Sequence, residues 1–280
     1  MQPFKKYRLG QHVIERPWVM GILNVTPDSF WAGSRCDTVQ AIERRVGQMV
    51  AEGADVIDIG AYSTRPGAAE VPVAEELARL ERAMEVVRRL APGLLTSVDT
   101  FRASVAQYGV EHLGIDMVND VSGGALDPAM FATVARLDVP YVLMHMRGTP
   151  ATMQQLTDYD NVVDDVLADL QFKLDALHNL GLRDVIVDPG FGFSKTLEQN
   201  YELMARLADF HRLEAPLLVG VSRKSMVYRA LCCSPDEALN GTTVLNTMAL
   251  LAGAHILRVH DVAAAVQART LVDKTRFCHD

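Results

Sequence analysis

Repeatedly along this sequence a polar or charged side chain stands directly after an apolar run. Asn24 follows one in "ILNVT", Asp99 in "SVDT", Asn119 in "VND" and Asp188 in "VDPG". Arg223, Lys224 and Ser225 follow another in "VSRKS", Arg258 and His260 sit in "RVHD", and Arg65 lies in "STRPG". Two cations beside a core strand are costly unless something electron-rich lies opposite them. Asp99, Asn119 and Asp188 supply acceptors and one amide that both donates and accepts. That set suits a flat heterocycle with an amide edge and an exocyclic amine, since a carboxylate can take two parallel N–H bonds from a guanidine-like edge. Arg65, Arg258 and His260, with Asn24, suit a phosphate group held directly or through a metal. Lys224 can reach a carbonyl oxygen or ring nitrogen. Ser225 would begin the next helix, where an anion is favoured.

These residues need elements that bring them together. The apolar runs fall at 18–23, 56–59, 94–98, 117–118, 141–144, 185–187, 217–221 and 256–259. They are near-continuous and partly β-branched, as in parallel strands buried on both faces. Between them lie amphipathic stretches. Residues 73–90 place Val73, Leu77, Leu80, Met84 and Val87 on one helical stripe that Pro92–Gly93 stops, and 160–180 repeat the pattern with Val163, Val166, Leu170, Leu174 and Leu177 before Gly181. Strand-then-helix units of about 35 residues predict a (β/α)8 TIM barrel, read as a single domain over 1–280 with its core at 18–274. In such a barrel the chemistry lies at the carboxyl ends of the strands, where these polar residues stand. A doubly wound open sheet is the alternative. It would want a glycine-rich fingerprint after its first strand, which "GILNVTPDSF" lacks.

Composition narrows the function classes. The 280 residues are 49% hydrophobic and 22% charged with a net charge of -8. That balance argues against a dominant nucleic-acid or anionic-membrane partner. The apolar stretch 248–257 is interrupted by His255 and falls short of a membrane span, and no apolar region follows the basic N-terminal residues. Cys36, Cys232, Cys233 and Cys278 lack zinc spacing and read as free thiols of a cytoplasmic protein. Each polar residue also has a plain structural reading. Asp188 alone would cap the turn at Pro189–Gly190, Asp120 serves as a structural acceptor, His145 and His255 can be satisfied core histidines, and Met144 and Met146 can be packing.

Eight segments in order, "GILNVTPDSF", "STRPGA", "SVDT", "NDVSGG", "LMHMRGTP", "DPGFGFSKT", "GVSRKS" and "RVHDV", closely resemble the dihydropteroate synthases, folate-pathway enzymes targeted by sulfonamides. The resemblance runs from about residue 18 to residue 265. It implies a pterin-binding (β/α)8 barrel that joins 6-hydroxymethyl-7,8-dihydropterin diphosphate to p-aminobenzoate with release of pyrophosphate. It makes Asp99, Asn119, Asp188 and Lys224 pterin-binding residues, with Met144 packing on the ring and Arg258 flanking the ring and facing the anion. Asp99, Lys224 and Arg258 are then the candidate catalytic residues. Asn24 matches a Mg²⁺ ligand, and Arg65 and His260 match groups near the diphosphate. Phe30, Thr64, Pro66, Phe193 and Ser225 match positions around p-aminobenzoate. A homodimer is implied by the same resemblance. One departure stands out: the family pattern has Gly-Gly-Glu before Ser-Thr-Arg-Pro-Gly, and this chain has Gly60–Ala61–Tyr62. The change is expected to alter the second loop and the fit around p-aminobenzoate.

Three rival functions are weighed against this one. A barrel that passes a methyl group from a methylated folate to cobalamin shares the acidic pterin set but has no use for "STRPG". An aldolase-type barrel would use Lys224 as a Schiff-base amine and wants no guanidinium beside it. A non-catalytic pterin binder could discard "LNVTPDSF" and "STRPGA", both of which are intact.

Overall fold

Apolar runs of this kind need cover on both faces, and a parallel sheet wrapped in helices provides it. The computed structural model describes residues 4–26, 36, 38–63 and 70–276. It opens with a short antiparallel hairpin, β1 (Tyr7–Leu9) and β2 (His12–Ile14), turned at Gly10 with a φ of +57°. Parallel strands follow: β3 (Trp18–Asn24), β4 (Val56–Gly60), β5 (Leu95–Asp99), β6 (Met117–Asp120), β7 (Tyr141–Met144), β8 (Val185–Asp188), β9 (Leu218–Val219) and β10 (Ile256–Val259). They lie side by side in the order β8-β7-β6-β5-β4-β3-β10-β9. The two ends meet through a parallel bridge between Val187 and Leu217, where the Val187 amide donates to the Pro216 carbonyl at 2.9 Å. The sheet thus closes as the expected (β/α)8 barrel, and the open doubly wound alternative falls.

Helices return the chain between strands. They are α1 (Val39–Glu52), α2 (Val73–Leu90), α3 (Ala103–Glu111), α4 (Met130–Leu137), α5 (Val162–Asn179), α6 (Leu197–Ala205), α7 (Ser225–Ala230), α8 (Leu239–Leu251) and α9 (Val262–Arg276). The stripe over 73–90 is α2 residue for residue. The stripe over 160–180 becomes α5 from 162, because the Asn161 side chain accepts from the amides of Val163 and Asp164 and fixes the start. One strand is shorter than its apolar run. Of 217–221 only Leu218–Val219 pair as a strand, since Leu217 turns its carbonyl to His255 and Ile256, and the chain after Val219 bends to present Arg223 at a φ of +52°.

Two cores result. Between sheet and helices lie Leu80, Met84 and Val87 of α2 and Leu170, Leu174 and Leu177 of α5. Inside the barrel a second layer of Met20, Val56, Met117, Val142, Ile186, Leu218 and Ile256 packs against Leu9 and Ile14 of the hairpin. Gly10 donates to Asp184 at 2.6 Å, and the His255 Nε2 lies 3.1 Å from the Lys5 carbonyl. Asp184 and His255 each precede a strand, so the hairpin plugs the amino end of the barrel and the carboxyl end is left for chemistry.

Candidate active site

Parallel pairing puts residues of neighbouring strands in rows. One row runs Asn24, Gly60, Asp99, Asn119 across β3 to β6, and Met144 pairs with Asp188 across β7 and β8. Residues far apart in sequence therefore reach the same height at the carboxyl end. There Asn24, Asp99, Asn119, Met144 and Asp188 line one cavity of about 440 Å³ with Phe193, Lys224, Ser225, Arg258 and His260. A cavity of that size is the usual volume for a small-molecule site. Gly60 matters to its shape, because a Cβ there would lie 3.1 Å from the Asn24 Oδ1 and 3.7 Å from the Asp99 Oδ2.

Along the cavity floor runs an ionic chain. Arg258 donates from Nε to Asp58 at 2.7 Å and from Nη2 to Asp99 at 2.6 Å, and the Asn119 amide donates to the same Asp58 oxygen at 3.0 Å. Asp58 is fully buried. Asn119 thus spends one of its two amide N–H donors on Asp58. Burial alone would lower the Arg258 guanidinium, but Asp58 and Asp99 outweigh it and hold the group charged. Burial, with Asp58 and Asp120 nearby, pushes the Asp99 carboxyl up to about 7 against the pull of Arg258. Burial also raises Asp188, whose Oδ1 caps the amide of Gly190 at 2.8 Å. The structural reading of Asp188 as a turn cap is met, and the residue also lines the cavity.

Lys224 and Arg223 diverge. The Lys224 Nζ donates to the Phe191 carbonyl at 2.7 Å and stands 4.8 Å over the Phe193 ring, and burial lowers it to about 8. Arg223 grips both Asp261 oxygens, at 2.8 and 3.0 Å, and donates to the carbonyls of Pro235 and Asp236. It is a local clamp that holds the loop before α7. His260 is nearly buried, its Nδ1 lies 3.1 Å from the Ser222 hydroxyl, and burial with four cations nearby pushes it down to about 3. At neutral pH its ring is therefore uncharged.

Of the residues expected from sequence, Asn24, Asp99, Asn119, Met144, Asp188, Phe193, Lys224, Ser225, Arg258 and His260 all line this cavity. Phe30, Thr64, Arg65 and Pro66 lie outside the described residues. Asp120 is the expected structural acceptor, taking hydrogen bonds from Ser122, Gly124 and the Tyr141 hydroxyl. His255 is a core residue, accepting from the Leu217 amide. His145 pairs with Lys195, whose buried Nζ also donates to the carbonyls of Gly190 and Phe193 and so knits the loop between Asp188 and α6. Sequence reasoning missed Asp58 and Lys195. Asp58 had a signal, a carboxylate in the middle of the apolar run "VIDIG", which a core strand tolerates only with a partner.

Met144, Met146, Val121, Met153 and Phe193 form an apolar wall beside the polar floor. A flat ring can lie against that wall with its donor edge on the acceptors. Three comparisons agree with this chemistry. The family model described as pterin binding enzyme matches residues 20–260. The chain is 40% identical over 264 residues to the dihydropteroate synthase of Escherichia coli K12, covering 94% of this chain and 93% of the relative. The dihydropteroate synthase of Yersinia pestis, solved with a sulfonamide drug, superposes with a TM-score of 0.89 at 39% identity, covering 97% of this chain and 99% of that one. The Thermus thermophilus enzyme, solved with 4-aminobenzoate, superposes with a TM-score of 0.84 at 37% identity over 96% of this chain and 99% of that one. Fold, cavity and kinship coincide: this chain belongs to the pterin-binding enzymes and, among them, to the dihydropteroate synthase family.

Proposed function

We propose that this chain condenses 6-hydroxymethyl-7,8-dihydropterin diphosphate with p-aminobenzoate, giving 7,8-dihydropteroate and pyrophosphate. The observation that carries the reading is the meeting of Asp99, Asn119 and Asp188, from three separate strands, with Lys224 and Arg258 in one cavity. The acceptors hold the pterin's amide edge and exocyclic amine, Met144 lies against its face, and Lys224 donates to a ring heteroatom. Arg258, in contact with Asp58 and Asp99, stands between this floor and the departing anion. Loss of pyrophosphate leaves positive charge spread over the electron-rich dihydropterin, which Asp99 and Asp188 stabilise. The amine of p-aminobenzoate is already neutral near pH 7, so it needs placement within about 3–3.5 Å of the methylene rather than a strong base, and the proton it sheds once the C–N bond has formed passes to the released pyrophosphate or to water.

A Mg²⁺ ion carried in with the diphosphate fits the described residues. Among the described residues no group of three His, Cys, Asp or Glu could hold a metal, yet the Asn24 Oδ1 borders the space that Gly60 leaves open. Asn24 would supply one oxygen, in keeping with an ion that retains waters and takes phosphate ligands. When bound, the ion would neutralise charge on the leaving diphosphate. The Schiff-base alternative asks for a lysine free of neighbouring guanidinium, and Arg258 is close enough to help lower Lys224.

The test is pyrophosphate release that requires both substrates. Lys224→Ala should lose at least about a hundredfold in kcat/KM for the pterin substrate, as expected when a buried charged donor is removed. Undiminished activity in that variant would refute the assigned role of Lys224, and absence of release from the unaltered protein would refute the function.

A further inference from the structure

The segment after β4 reads Ala61–Tyr62–Ser63, and the structure shows where Tyr62 sits. Its ring lines the cavity. Behind it, the Phe101 ring packs edge-on at 5.0 Å between centroids with an interplanar angle of 84°, and the Arg102 guanidinium lies 5.0 Å above it. Gly60 and Asp99 are register partners, and Tyr62 and Phe101 each stand two residues beyond them. Tyr62 thus lines the cavity just past the end of β4, and Phe101, just past the end of β5 and not itself a lining residue, backs it.

Arg102 itself does not line the cavity. It donates from Nη1 to the buried Glu76 and to the Val71 carbonyl, both at 2.7 Å, and approaches Glu70 at 3.8 Å. Glu76 also accepts from the Thr100 hydroxyl at 2.9 Å, and burial raises its carboxyl. One guanidinium thus touches Tyr62 on one flank of the segment 64–69 and residues 70 and 71 on the other. From α2, Arg79 donates to the Ala61 carbonyl at 3.1 Å and fixes the first flank a second time.

We infer that Tyr62 determines acceptance of the aminobenzoate ring and that Arg102 is a positioning residue, which holds Tyr62 and the two flanks of segment 64–69 in place. The inference rests on the transfer reaction proposed above. A cation over one ring and an edge-on second ring both restrict where a tyrosine can sit. A ring fixed just past the end of β4 meets the second, aromatic substrate after the first has filled the floor.

The experiment measures KM for p-aminobenzoate and, separately, Kd for the pterin diphosphate. Arg102→Ala would strand Glu76 in the core, so Tyr62→Leu and Arg102→Lys are the informative variants, neither of which leaves that carboxylate unpaired. Tyr62→Leu should raise KM for p-aminobenzoate about tenfold, and Arg102→Lys by about threefold, with the pterin Kd within about twofold of the parent value. Tyr62→Phe, which keeps the ring, should show less than half the rise of Tyr62→Leu. Unmoved KM values, or a loss shared equally by both substrates, would overturn the inference while leaving the transfer reaction intact. An unaltered protein that releases no pyrophosphate would remove both.

Discussion

Asp99 and Lys224 are site residues whose charge is insecure close to neutral pH, and burial raises the Asp188 carboxyl as well. In the reaction proposed above, Asp99 accepts from the pterin most strongly when ionised and Lys224 donates most strongly when protonated. Asp99 is raised to about 7 and Lys224 is lowered to about 8, in each case chiefly by burial. Below the first value the acceptor is protonated, and above the second the donor loses its charge. The pH profile of kcat/KM for the pterin substrate should therefore be a narrow bell with limbs near these two values. On its residual activity Asp99→Asn should lose the acid limb and keep the alkaline one; a profile flat from pH 6 to pH 9 would contradict this assignment. The acceptor set was legible in sequence because strand ends in a barrel are where polar residues have no packing purpose. Asp58 was not, since it sits within a run that otherwise reads as core. Only the fold shows that Arg258, 200 residues away in sequence, returns to pair with it at 2.7 Å. The contrasting fates of Arg223 and Lys224 were also hidden. Adjacent residues point to opposite partners because Arg223 adopts a left-handed backbone, and Asp261 and two carbonyls receive its guanidinium.

Among the elements, the parallel strands and the two long helical stripes were legible because burial imposes a pattern on each. The hairpin was not. Its strands are three residues each, too short to show a period, and only Gly10 between "YRL" and "HVI" hinted at a turn. Leu9 and Ile14 are almost entirely buried against the inner layer. Ile14→Ala should cost about 2–5 kcal/mol in urea unfolding through lost contact and a residual cavity. Because the hairpin sits at the amino end, away from the catalytic mouth, KM for both substrates should stay as in the parent. A shift in KM without loss of stability would mean the hairpin communicates with the site.

In the molecule as a whole, the barrel is not equally strong around its circumference. Adjacent strands such as β3 and β4 pair over five residues, whereas β8 and β9 meet at a single bridge, Val187 to Leu217. Asp188 ends the strand on one side of that junction, and Lys224 follows β9 on the other. A pterin held by both would act as a rivet across the most thinly stitched joint among the described strands. Ligand occupancy should then slow amide exchange at Val187 and Leu218 more than at β4, and at a hundred times its Kd add about 2.7 kcal/mol to global stability. Protection spread evenly over all staves, or absent from these two, would show that the joint does not depend on its cargo.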